Sequence, residues 1–101
     1  MYKFMSVVVL VNLNVKEESV EDLKEYFKEI LPDTRSFEGC QGVQLYQSNE
    51  SPTKITIHSK WTSEEAQKKY MSWRMDSGAL DKLIPMLSDH PNLEFYNIVD
   101  E

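Results

Sequence analysis

A chain of 101 residues, 41% hydrophobic and 28% charged, can bury one modest core and not two, so residues 1–101 read as a single domain. A formal net charge of −6 with no basic stripe argues against phosphate-contacting nucleic-acid binding and against an anionic membrane surface. The single cysteine, Cys40, permits neither an intrachain disulfide nor a thiolate zinc cluster.

The first predicted strand runs from Met5 to Val15, with Val7, Val9, Val11 and Leu13 on one face and Val8 and Leu10 on the other. A strand solvated on one face would alternate apolar with polar, so this one is predicted to be covered twice. Asn12 and Asn14 turn its far end polar, and buried amides there need partners. The apolar run Val7–Leu13 is also too short to cross a bilayer. It lacks a basic leader and a small-residue cleavage site, which points to a cytoplasmic protein.

A first helix follows. Ser19 and Asp22 fit a capping-box variant, Val20, Leu23, Phe27, Ile30 and Leu31 recur at helical spacing, and Pro32 with Glu38–Gly42 is predicted to end it. A second strand spans Val43–Ser48, setting Val43 and Leu45 against Gln44 and Tyr46. After a hairpin loop at Asn49–Pro52, a third strand, Lys54–Trp61, sets Ile55, Ile57, Ser59 and Trp61 against Thr56, His58 and Lys60. Thr62 and Glu65 form a capping box for a second helix carrying Ala66, Tyr70 and Trp73 on one side, with Arg74 one turn beyond Tyr70. Ser77-Gly78 breaks that helix. Leu80, Leu83, Ile84 and Leu87 form a further helical stretch kinked by Pro85, and the fourth strand runs from Leu93 to Val99.

The order is β-α-β-β-α-β with a split second helix, an α+β ferredoxin-like arrangement. Helices on one side leave the other sheet face bare, and the apolar outer residues of the first strand call for a cover there. A second copy of the sheet is the simplest one.

Phe37-Glu-Gly-Cys-Gln-Gly42 before the second strand and Trp61-Thr-Ser-Glu-Glu-Ala66 after the third, in this element order, resemble the antibiotic biosynthesis monooxygenase domain family. Tyr70-Met-Ser-Trp-Arg74, then Gly78 and Leu80–Leu87, resemble its quinol-monooxygenase-like subgroup. The resemblance covers nearly the whole chain. It implies a dimeric α/β barrel with a pocket between sheet and helices in each subunit. Some members oxidise phenolic or quinol substrates with dioxygen and no cofactor; others degrade haem, act on small signalling molecules or have no known activity. The chain departs from the family pattern in several places. Ser59-Lys60 stand where a Glu-Arg pair often precedes the tryptophan, Ile57 where the cofactor-free branch has Asn, and Tyr70 where His is frequent. Haem degradation fits poorly, since its Asn matches Asn12 only with a one-residue slip and its Trp and His positions read Tyr70 and Leu80.

Arg74, Tyr70 and Trp61 are the candidate catalytic residues, and Trp73, Asn12, Tyr46 and His58 the candidate substrate-binding residues. Arg74 is a fixed cation beside two aromatics, suited to the oxyanion of a phenolate or quinolate; stacking on Trp73 or pairing with an acid near a dimer seam would equally explain it. Trp61 serves as core, as pocket wall, or as both. His58 has the intrinsic pKa of a general base, but its alternation phase opposes that of Trp61. Asn12 and Tyr46 offer pocket hydrogen bonds or strand-edge roles. Cys40 fills space in a turn, and His90 is incidental. No phosphate-cradling loop, dinucleotide fingerprint or metal-ligand spacing appears, so the expected chemistry uses neither cofactor nor metal. The expectation is a cofactor-independent monooxygenase, homodimeric, taking a small aromatic or quinol-like substrate and dioxygen. The competing reading is a small-molecule binding module or isomerase-like enzyme on the same fold.

Overall fold

The computed structural model describes residues 6–99; the predicted start of the first strand at Met5 lies outside them. The elements are β1 (Val7–Asn14), α1 (Val20–Arg35), β2 (Cys40–Gln47), β3 (Lys54–Trp61), α2 (Glu64–Asp76), α3 (Ala79–Leu83) and β4 (Asn92–Asn97). Short 3₁₀ turns at Glu17–Ser19 and Ile84–Met86 lead into α1 and out of α3. The sheet order is β2-β3-β1-β4, with every pair antiparallel. This is the ferredoxin-like α+β arrangement expected from the element order.

Strand register fixes the two faces, because residues directly opposite in antiparallel strands point the same way. Val9 pairs with Ser59 and Phe95, Val11 with Ile57 and Leu93, and Val7 with Trp61 and Asn97. These residues face the helices. Leu10 pairs with His58 and Glu94, Asn12 with Thr56 and Asn92, and Val8 with Lys60 and Tyr96, on the opposite face. Val9, Leu13, Leu23, Ile55 and Trp61 are the largest fully buried side chains and anchor the core between sheet and helices. Val8 and Leu10 are only half-buried, and Tyr46 and Tyr96 are exposed.

Three local expectations are corrected. Pro32 does not end α1, which continues to Arg35 with Pro32 inside it. The ring lacks the N–H that would bond the Lys28 carbonyl, but both residues are exposed, so water can satisfy that carbonyl and the helix gains a further turn. Ser19 is the N-cap position of α1 but accepts no hydrogen bond, because the preceding 3₁₀ turn holds it in helical φ/ψ. The N-cap of α2 is Ser63 rather than Thr62: its hydroxyl accepts from the Ala66 N–H at 3.1 Å. The break after α2 falls as expected, with Gly78 at φ +82°, a left-handed conformation suited to glycine. Among the described residues, no helix is long and apolar enough to cross a membrane.

Candidate functional site

Residues 67, 70, 71 and 74 of α2 lie three and four apart and share one face. That face looks across a cavity of about 330 Å³ toward Val43, Ile57 and Trp61 of the sheet and Ile30 and Thr34 of α1, with Leu80 beyond the Gly78 break. The size is at the lower end for ligand sites, and the walls are almost wholly apolar.

Arg74 is the cation of this site. It is 6% exposed, and no carboxylate of the described residues forms an ion pair with it. Hydrogen bonds hold it instead: Nε–H donates to Tyr70 Oη at 2.7 Å, and Nη2 donates to the Ile30 carbonyl at 2.7 Å and to Thr34 Oγ1 at 2.9 Å. Thr34 Oγ1 and Tyr70 Oη lie 2.6 Å apart and share a hydrogen bond, so the guanidinium grips both members of a hydroxyl pair. Trp73 covers the guanidinium, 4.5 Å from its ring centroid. Neutral dipoles partly screen the guanidinium but leave its net charge in place, so an anion entering the cavity is still attracted to it. Among the described residues, no partner occupies the two N–H groups of Nη1.

The aromatic wall is built around Phe37. Its ring lies 5.3 Å from that of Tyr70, 5.4 Å from Trp73 and 6.4 Å from Trp61. Trp61 and Tyr70 are 5.1 Å apart. Trp61 donates its indole N–H to Ser59 Oγ at 2.9 Å and so offers a ligand only its ring. Tyr26, also lining the cavity, donates to the Ala79 carbonyl at 3.0 Å. Burial pushes its hydroxyl above the ordinary value of 10.0, against a smaller opposing pull from Arg74.

The structure thus brings Arg74, Tyr70 and Trp61 together on one cavity. Trp73 is not among the lining residues; it is 39% exposed and backs Arg74 from outside. Asn12, Tyr46 and His58 gather on the opposite sheet face. There Asn12 donates to Glu94 at 3.0 Å and accepts from Thr56 at 2.9 Å, and Tyr46 meets His58 ring to ring at 6.2 Å. Sequence reasoning missed Thr34, Gln67, Phe37 and Tyr26. Phe37 had a signal, as the first residue of the motif before β2. Thr34 was hidden by the expectation that Pro32 stops the helix. Gln67 had only its spacing of seven residues from Arg74. Among the described residues, no cluster of three or more His, Cys, Asp or Glu stands in position to bind a metal.

Comparison with known proteins places this geometry in a family. The family model described as antibiotic biosynthesis monooxygenase matches residues 6–73, about two-thirds of the chain, and the chain belongs to that family. Solved structures share the fold. A conserved protein of Methanosarcina mazei superposes with a TM-score of 0.85 at 22% identity, covering 92% of each chain. A proposed antibiotic biosynthesis monooxygenase of Deinococcus radiodurans gives 0.83 at 19% identity over 94% of each chain. A further proposed member of that kind, from Nitrosomonas europaea, gives 0.81 at 16% identity, covering 98% of this chain and 95% of its own. No curated protein matches the sequence. The family match stops one residue short of Arg74, so the case for that side chain rests on the geometry alone.

Proposed function

We propose that this protein is a cofactor-independent monooxygenase that oxidises a small quinol or phenol with dioxygen inside the cavity. The observation that carries the reading is Arg74: a buried cation without a carboxylate partner among the described residues, set into an apolar cavity beside a phenol-bearing side chain. Deprotonated phenols and quinols donate electrons to dioxygen themselves. One oxygen atom then enters the ring, the other leaves as water, and the substrate supplies the four electrons. The protein has to stabilise the phenolate, orient it and exclude bulk water. Arg74 supports the oxyanion, Trp61 and Tyr70 form one aromatic wall against which the ring packs, and the Tyr70–Thr34 hydroxyl pair is the nearest relay for the departing proton.

Oxygen uptake with a panel of quinols and phenols, without added flavin or metal, tests the proposal. Wild type should consume oxygen well above background, and Arg74→Met should fall to it. Equal background rates in both proteins for every substrate sink the idea. A specific observation favours a second reading, a binding module: no imidazole or carboxylate of the described residues lines the cavity to act as base. In that case a ligand raises the melting temperature while oxygen uptake stays nil.

We also infer that the protein is a homodimer joined through the sheet face opposite the helices. Val8 and Leu10 lie half-buried on that face beside the exposed rings of Tyr46 and Tyr96, and a second copy of the sheet would cover all four. Asn12, Thr56, His58 and Glu94 would then sit in a partly polar seam.

A further inference from the structure

Gln67 lines the cavity and is 3% exposed, yet its Oε1 is a buried side-chain oxygen with no hydrogen-bond partner among the described residues. Buried acceptors are nearly always paired, because leaving one dry forfeits its hydration with nothing in return. A leucine or methionine would pack this position without that loss. The carboxamide therefore points to a partner that arrives from outside.

The opposite end of the stripe has the complementary surplus. Three of the five N–H groups of Arg74 are engaged by Tyr70, Ile30 and Thr34, and those of Nη1 are not engaged by any described residue. The hydroxyls of Tyr70 and Thr34 share one hydrogen between them, which leaves the second hydrogen for another acceptor. Donors thus collect at the Arg74 end, and the Gln67 end carries the unpaired Oε1 beside its own amide hydrogens. Seven residues separate the two positions, roughly 10 Å along the helix axis. The cavity between them is apolar and about 330 Å³ in volume.

We propose that Gln67 is a specificity-determining residue: its Oε1 accepts a hydrogen bond from an O–H or N–H on the bound ligand. The ligand class that fits is a compact ring system with an oxygen acceptor at one edge and a hydrogen-bond donor at the opposite edge. A ring with a single oxygen satisfies only one end. This rests on the reading of the cavity as the substrate site and adds to it a requirement that Arg74 does not impose.

Anaerobic titration with two probes tests the proposal: 4-methoxy-1-naphthol, and 1,4-dimethoxynaphthalene, which lacks the donor. Wild type should prefer the naphthol by on the order of tenfold in Kd, the scale of one buried hydrogen bond. Gln67→Met, close in volume but without the acceptor, should bind both probes about equally, and Gln67→Leu supplies a second apolar variant if the first folds poorly. A preference that persists undiminished in the folded apolar variant overturns the assignment, since the discrimination is then steric or lies elsewhere. Wild type that binds neither probe, or both alike, overturns it too, and leaves a buried water as the partner of Gln67. The oxygenase reading fails separately: nil oxygen uptake with the probe preference intact removes that reading and keeps this one.

Discussion

Thr34→Val should destabilise the protein more than Arg74→Met, although it removes a far smaller group. Thr34 is 2% exposed, and its Oγ1 accepts from Arg74 Nη2 at 2.9 Å and shares a hydrogen bond with Tyr70 Oη at 2.6 Å. Valine keeps the shape and leaves a buried charged donor and a phenolic hydroxyl each short of a partner. A hydrogen bond to a charged group contributes about 1.5–3 kcal/mol and a neutral one about 0.5–1.5, so the loss should be about 2–4 kcal/mol. Arg74→Met removes the charge together with its bonds. Thr34 and Tyr70 keep each other, the Ile30 carbonyl keeps its place in α1, and the cost of burying a cation disappears. The net change should lie within about 1 kcal/mol of zero. In the Arg74→Met background, Thr34→Val then loses only the Tyr70 bond, about 1 kcal/mol, giving a coupling between the two sites of about 1–3 kcal/mol. Urea midpoints of the four proteins at one protomer concentration measure it. If Thr34→Val costs the same in both backgrounds, the guanidinium is not held as described and the reasoning fails.

The sheet face gives a paired test. Leu10→Lys on the outer face should convert a dimer to a folded monomer in sedimentation velocity, whereas Val9→Asp, at 0% exposure against Trp61, should unfold the chain outright. A wild type that sediments as a monomer at micromolar concentration counts against the dimer. Gly39→Ala should cost about 2–4 kcal/mol, combining overpacking with a disfavoured positive φ. Its new Cβ would lie 2.6 Å from that of Ala66, at φ +94°. Thermal melts read this, and an unchanged midpoint would mean that the start of α2 can yield at Ala66. For Tyr26, burial raises the folded pKa above the unfolded 10.0, so the unfolded chain releases its proton first. The stabilisation is full below pH 10 and is lost as pH climbs through the folded value. Tyr26→Phe should therefore flatten the alkaline decline in urea midpoint above pH 10, and an unaltered decline would reject that origin.

Strand pattern made most of the fold legible. The two apolar phases of β1 and the alternation of β3 sorted their residues onto two faces, and the observed register keeps that sorting; which face meets the helices came from the structure. Cap positions and helix ends were less readable, because they turn on single hydrogen bonds. Ser63 outcompetes Thr62 by being the residue whose hydroxyl reaches Ala66, a choice of backbone angle that composition does not encode. The site divides the same way. Trp61, Tyr70 and Arg74 announced themselves by residue type and spacing. Thr34 and Gln67 did not, because amphipathic reasoning assigns polar residues to the outside of a helix, and α2 turns Gln67 and Arg74 inward. Tyr46, His58 and Asn12 have suitable chemistry but sit on the opposite face, where pairing phase rather than residue type decides their company.

The two tryptophans give the molecule two optical reporters that read different places. Trp61 is 1% exposed with its indole N–H tied to Ser59, while Trp73 is 39% exposed over the outer side of Arg74. An aqueous collisional quencher such as iodide therefore reaches Trp73 and spares Trp61. Trp61 lines the cavity, so emission that survives iodide follows occupancy of the interior. The quenchable share follows the guanidinium cover from outside.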